Sequence, residues 1–308
     1  GASLFRRTAH AVSQPIIPPA AARPAGSCTL MADDTTPVEA LATALIAARH
    51  SRAPMPRDEA DRLAGMIGPE GAYGVQRLVC EAFGPVAAWK TGRKRVADPV
   101  IAAPVLDGGL RASGASFSTA ELSACGVELE IGFRLDRPLP PFDAADFETL
   151  ARDCVTPLAV IEIVDGRIDG FMDAAPLAKL ADNQSNGGLV FSTQVDEGTL
   201  DLTEPEVRLT FDGREVVTGR QKVPGGDAFS VFLAFARMVG DHCGGLQLGQ
   251  IVTTGTLSGL PFVAPGTVIE GWISGLGPVR TAFVEAAAGD GQDAAMSGQR
   301  SSHGQRSS

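Results

Sequence analysis

Gly126-Val127-Glu128-Leu129-Glu130-Ile131-Gly132-Phe133 alternates strictly along its length. Strand side chains point to opposite faces in turn. Val127, Leu129, Ile131 and Phe133 therefore face one way, and Glu128 and Glu130 face the other way together. Two neighbouring carboxylates disfavour each other's ionised form. The pattern fits a half-exposed strand whose polar face is solvated. It equally fits a divalent-cation site, where the ion removes the conflict and hard oxygen ligands suit magnesium or manganese.

A second stretch bears on that choice. Leu158-Ala159-Val160-Ile161-Glu162-Ile163-Val164-Asp165 is a nearly unbroken apolar run with a glutamate at its centre. Such a run implies a strand buried on both faces. An ionised carboxylate there is costly unless it is paired or metal-bound. Glu162 therefore needs a partner: a cation shared with Glu128 and Glu130, or a lysine.

Outward from these two strands, short apolar runs bounded by Gly, Pro and Asp dominate from about 100 to 285. Val127–Leu135, Ala159–Val164, Gly188–Ser192, Val207–Phe211, Gln250–Thr254 and Thr267–Ile273 read as strands. Helices are expected at about 143–153 and 227–240. Before residue 100 the pattern is helical. Thr36-Pro37 is a hydroxyl N-cap with proline at the first helical position. A second helix starts near Pro56, and a third covers about 69–83, with Tyr73, Gln76, Cys80 and Phe83 at helical spacing. The class is α+β. The expected organisation is a disordered leader (1–35), a helical N-terminal region (36–100), a catalytic β-domain (101–288) and a disordered tail (289–308). The leader contains Arg6, Arg7 and Arg23 and no acid before Asp33. It reads as an extended terminus ahead of a natural start at Met31, or as a transit peptide.

Composition narrows the chemistry. A net charge of -10 speaks against a general nucleic-acid binder. No apolar run is long enough for a membrane span. Five scattered cysteines, none spaced CxxC, indicate neither a disulfide framework nor a zinc knuckle, and a cytoplasmic setting is expected. Only four histidines occur: His10, His50, His242 and His303. None lies near the motifs in sequence, which disfavours a Ser-His-Asp triad and water activation by a His-Glu pair. Nucleotide-binding glycine motifs are absent.

Six segments, in order, resemble one family. They are Ala72-Tyr73-Gly74-Val75-Gln76, Ala88-Trp89-Lys90-Thr91-Gly92, Glu128-Leu129-Glu130, Ile161 to Ile168, Ala181-Asp182-Asn183-Gln184-Ser185-Asn186-Gly187, and Gly249 to Gly259. Together they resemble the fumarylacetoacetate-hydrolase superfamily, in its branch of 2-keto-4-pentenoate hydratases and 4-oxalocrotonate (2-oxo-3-hexenedioate) decarboxylases. The resemblance implies a mixed, curved β-sheet roll preceded by helices. It implies a magnesium or manganese ion on Glu128, Glu130 and Glu162, and a small-molecule 2-keto acid substrate. It also implies a catalytic Lys90, whose structural alternative is a salt bridge to a ligand glutamate. Asp182, Asn183 and Ser185 would contact substrate, or form an Asx-turn. The Gly255 amide and Thr256 hydroxyl would meet its carboxylate, or form a tight turn. A homo-oligomer is the family's usual state. Where such hydratases carry Thr or Ser after the lysine motif, this chain has Arg93-Lys94-Arg95. That run reads as a solvated loop or as a receptor for a second substrate carboxylate. The readings in play are a hydratase, a diacid decarboxylase, an acylpyruvate hydrolase and a non-catalytic partner subunit.

Overall fold

The computed structural model describes residues 35–285; the expected tail, and the expected leader up to residue 34, lie outside them. Three helices come first: α1 (Pro37–Ser51), α2 (Arg57–Ala64) and α3 (Pro69–Phe83). The α1 start is a capping box. The Glu39 N–H donates to Thr36 Oγ1 (3.2 Å), and the Thr36 N–H donates to Glu39 Oε2 (2.8 Å).

Strands β1 (Val86–Gly92), β2 (Ile101–Leu106), β3 (Leu110–Ala112), β4 (Ser116–Ser118) and β5 (Gly126–Leu135) follow. Then come α4 (Phe147–Arg152), β6 (Val155–Val164), α5 (Pro176–Ala181), β7 (Asn186–Phe191), β8 (Glu206–Phe211), β9 (Arg214–Arg220) and α6 (Ala228–Val239). The described part closes with β10 (Ile251–Thr256), β11 (Val268–Ile273) and β12 (Gly277–Val284). All six expected strands are present, with ends shifted by a few residues. The runs named from the sequence do not include β1, β2, β3, β4, β9 or β12.

The strands form a seven-stranded mixed sheet, ordered β2-β1-β10-β5-β6-β7-β3, and a five-stranded sheet, ordered β4-β12-β11-β8-β9. In the large sheet, β1 runs parallel to β10 and β3 parallel to β7; the other pairs are antiparallel. The strand β5 is central in it, which decides the first ambiguity of the sequence: all but one of its residues are buried, so no face of it is a solvated edge.

The two faces of β5 and β6 do different work. Leu129, Ile131, Phe133, Ile161 and Ile163 enter the main core with Val207, Leu209, Ile269 and Phe283 of the smaller sheet, and with Phe229 and Phe232 of α6. Contact there is close: a Cβ at Gly271 would lie 2.6 Å from Leu129 Cδ1. A second core joins α1, α2, α3 and α5 to Val164 and Ile168. Among the described residues no helix is long and apolar enough to cross a membrane.

Leu129 is fully buried between the sheets. Leu129→Ala is expected to destabilise the fold by about 2–5 kcal/mol, read as a lower urea midpoint at unchanged slope.

Candidate metal and substrate site

Register builds the acidic site. Antiparallel pairing of β5 with β6 sets Glu128 directly opposite Glu162, and Glu130 sits two residues further along the same face. Carboxylate oxygens of all three lie within 4.8 Å of one another. Their exposures are 9%, 2% and 0% for Glu128, Glu130 and Glu162, so water does little to screen the mutual repulsion.

Lys90 answers part of that repulsion. Its Nζ is 2.6 Å from Glu162 Oε1 and 3.4 Å from Glu128 Oε2. On a flat sheet, β1 and β6 would stand about 14 Å apart, three spacings of roughly 4.8 Å. The contact therefore depends on the large sheet curling its acidic face inward. Glu130 is met differently. Its Oε2 accepts the backbone N–H groups of Thr254 (3.2 Å) and Gly255 (2.8 Å). The β10–β5 register shifts between Thr253 and Thr256, and this bulge turns those amides onto the carboxylate. Gly255 sits there at φ 110°.

The balance stays negative. One lysine against three carboxylates leaves two uncompensated charges, and Glu162 Oε2 has no hydrogen-bond partner. Burial raises the Glu162 carboxyl well above its ordinary value; Lys90 opposes this, and Glu128 and Glu130 add to it. Burial, then the charge of Glu128, pushes Glu130 to about 7. Burial alone would lower Lys90, but attraction from Glu162 and Glu128 outweighs it and holds the ammonium protonated. Three oxygen donors, an orphaned buried oxygen and a net charge of minus two fit a hard divalent cation. The two answers left open for Glu162, a lysine and a shared cation, are compatible.

Lys90 and Glu128 open onto a cavity of about 980 Å³, lined also by Tyr73, Arg77, Lys94, Ser185 and His242. Of the expected loop contacts, Ser185 reaches this wall, and its Oγ has no hydrogen-bond partner. Asn183 is buried with its side-chain amide unpaired, but is not on the wall. Asp182 lies off the wall too. It pairs with Arg167 Nε (2.6 Å) and also accepts the Arg167 N–H (2.9 Å). Arg167 further donates to the carbonyls of Asp182 (2.7 Å) and Asn186 (2.6 Å). That clamp holds Asn183, Gln184 and Ser185 at φ of 48°, 53° and 55°, a left-handed run that isolated side chains disfavour. Gly255 uses its amide on Glu130, and the Thr256 hydroxyl donates to Gly259 O (2.9 Å), as a turn would require.

Two features escaped the sequence. His242, which belongs to none of the motifs, is folded onto the cavity wall. Its Nε2 is 2.8 Å from Gln76 Oε1. The Gln76 amide already donates to the carbonyls of Ala102 (3.2 Å) and Leu180 (2.7 Å), so its oxygen must accept and Nε2 must carry the proton. Burial, aided by Arg77, lowers this imidazole to about 4, leaving it neutral with a lone pair on Nδ1. The Arg93–Arg95 run also divides. Arg93 donates to Ser230 Oγ (2.9 Å), Arg95 pairs with Asp98 (2.8 Å), and Lys94 is exposed on the cavity wall.

Comparison with known proteins agrees with the resemblance read from the motifs. No protein-family model matches the chain. It is similar to a 2-keto-4-pentenoate hydratase of Paraburkholderia xenovorans, 35% identical over 163 residues, which is 51% of this chain and 58% of the relative. A 4-oxalocrotonate decarboxylase of Pseudomonas sp is 26% identical over 147 residues, 48% of this chain and 54% of the relative. The chain thus spans under two thirds of the length of the curated relatives it matches. In fold it is similar to the 4-oxalocrotonate decarboxylase from Pseudomonas putida G7 complexed with magnesium and adipate, with a TM-score of 0.64 and 21% identity over 80% of this chain and 97% of that one. The two share a fold of helices followed by a curled mixed sheet.

The site should make metal-free stability depend on pH. Glu130 and Glu162 bind protons more tightly folded than unfolded, so the folded chain holds excess protons between about 4.5 and about 7. Stability therefore falls as pH rises through that window. In chelator, the melting temperature is expected to decline across it, and Glu130→Gln to flatten the decline. Added manganese should raise the melting temperature most at the upper end, where protons no longer compete.

Proposed function

We propose that this chain is a metal-dependent lyase of 2-keto acids and their dienols, hydrating 2-hydroxypenta-2,4-dienoate to 4-hydroxy-2-oxopentanoate. The observation that carries the reading is the Glu128-Glu130-Glu162 cluster with Lys90 in contact, opening onto a cavity large enough for a small acid. The names of the sequence relatives supply the substrate class.

The three glutamates would hold magnesium or manganese. When bound, such an ion supplies Lewis-acid polarisation of the substrate's 2-oxygen. The remaining work falls to the chain. Lys90, kept protonated by its glutamates, presents a donor to charge developing at that oxygen and can carry a proton to the substrate. Ser185 offers an unpaired hydroxyl to the substrate carboxylate. His242, held neutral, offers its Nδ1 lone pair as a hydrogen-bond acceptor at the cavity wall. The apolar lining from Val100, Ile101, Phe171, Leu177 and Leu180 excludes bulk water from the conjugated chain.

A second reading, decarboxylation of 2-oxo-3-hexenedioate, is favoured by one observation. Lys94 and Arg77 add positive charge to the same wall, where a second carboxylate would sit.

Purified protein with magnesium or manganese is offered each acid in turn, and loss of ultraviolet absorbance is followed. Metal-dependent consumption of the dienoate is expected, abolished by Glu128→Ala. Lys90→Met is expected to lower kcat by about 10²–10³-fold. Preference for the diacid with release of carbon dioxide replaces the hydratase by the decarboxylase. Turnover that ignores chelator and survives Glu128→Ala overturns both.

A further inference from the structure

Beside His242, two cysteines line one cavity. Cys80 lies in the last turn of α3, four residues after Gln76 and on the same helix face. Cys243 lies in the short turn His242–Gly244, held at φ 48°. That turn is docked on α3 by the His242–Gln76 contact of 2.8 Å. The turn packs against α3, and both cysteines line one open cavity of about 350 Å³ with Arg77 and Glu81. The Cys243 Sγ is also 3.5 Å from His242 Nε2.

We propose that Cys80 and Cys243 form a peroxide-reactive dithiol, which a hydroperoxide converts to a disulfide joining α3 to the His242–Gly244 turn. Three observations assign the roles. The hydrogen bond from Cys243 holds the Cys80 thiol below its ordinary value against burial, and the charge of Arg49 helps, which makes Cys80 the attacking sulfur. Cys243 keeps its proton and is placed to resolve. The remaining described thiols differ: Cys154 is buried and donates to the carbonyls of Pro138 (3.3 Å) and Leu150 (3.4 Å), and burial raises Cys125.

The chemistry closes without another reagent. The Cys80 thiolate attacks one oxygen of the hydroperoxide, breaking the O–O bond; the alkoxide or hydroxide leaves and takes up the proton lost from Cys80. Cys80 is then a sulfenic acid. The Cys243 sulfur attacks Cys80 Sγ, the S–O bond breaks, and the departing hydroxide carries off the Cys243 proton as water. Two thiols lose two electrons, and the peroxide gains them. The bond would fasten together the two elements that carry Gln76 and His242, so the cavity wall is tied to the redox state of this pair.

The test uses the full chain and does not depend on its catalytic activity. Reduced protein is treated with hydrogen peroxide, remaining thiols are alkylated, and peptides are mapped by mass spectrometry. A Cys80–Cys243 cross-linked peptide is expected, reversed by dithiothreitol. In Cys243→Ser, Cys80 should stop at the sulfenic acid and be trapped by dimedone. Phenylarsine oxide, which needs two thiols in reach of one arsenic, should protect Cys80 and Cys243 together in the reduced wild-type chain. Peroxide oxidation spread over all thiols without that cross-link, or arsenical protection that omits either cysteine, overturns the proposal.

Discussion

Three carboxylates share one buried face of a central strand pair, and most of the architecture around them answers the repulsion this creates. Placing Glu162 opposite Glu128 is an unavoidable consequence of the β5–β6 register. Like charges paired across strands in low dielectric are destabilising. The fold responds in three ways. It curls the large sheet until Lys90 of β1 reaches Glu162. It interrupts β10 with a bulge whose amides face Glu130. It leaves the rest of the charge for a cation to neutralise. The first two responses are built into the chain, and the third would link stability to cation binding.

The opposite face of the same strands explains why the arrangement holds. Leu129, Ile131, Ile161 and Ile163 are locked against the smaller sheet and α6. Period-two alternation then leaves Glu128, Glu130 and Glu162 no alternative direction. A slip of one residue would bury the carboxylates in the main core and turn the leucine and isoleucines onto the acidic face, so the register is strongly specified. Apolar packing thus pre-organises a polar site, at a cost in electrostatic strain that a bound ion would relieve.

The Asp165–Arg167–Asp182 group has a comparable logic. Asp165 accepts the amides of Ser123 (2.7 Å) and Ala124 (2.8 Å), fixing the approach to β5. Arg167 gathers the carbonyls around a left-handed loop that would not hold itself. Motif residues that look like ligand contacts in the sequence are here mostly scaffold, and the group they present is Ser185. The thiol pair beside His242 continues the same theme, since its two cysteines sit on elements distant in sequence that meet through Gln76 and Tyr73 on His242.

Much of this was legible before any coordinates. Alternation placed both glutamates of β5 on one face, and the apolar run around Glu162 required a partner, because period-two geometry and the cost of burying charge are local properties. Lys90 was legible as a candidate from its motif, but its contact was not, since it depends on the curl of strands β1, β10, β5 and β6 brought together from distant segments. His242 was invisible for the same reason: nothing in its neighbours marks it, and only the packing of its turn on α3 brings it to the cavity. Asp182 looked like a contact and serves as a clamp, because an aspartate's role depends on which cation the fold sets beside it. The sequence by itself determined the elements, the direction of their side chains and the charge that had to be balanced. Tertiary structure alone decided which groups balance it, because that choice is made by contacts between residues far apart in the chain.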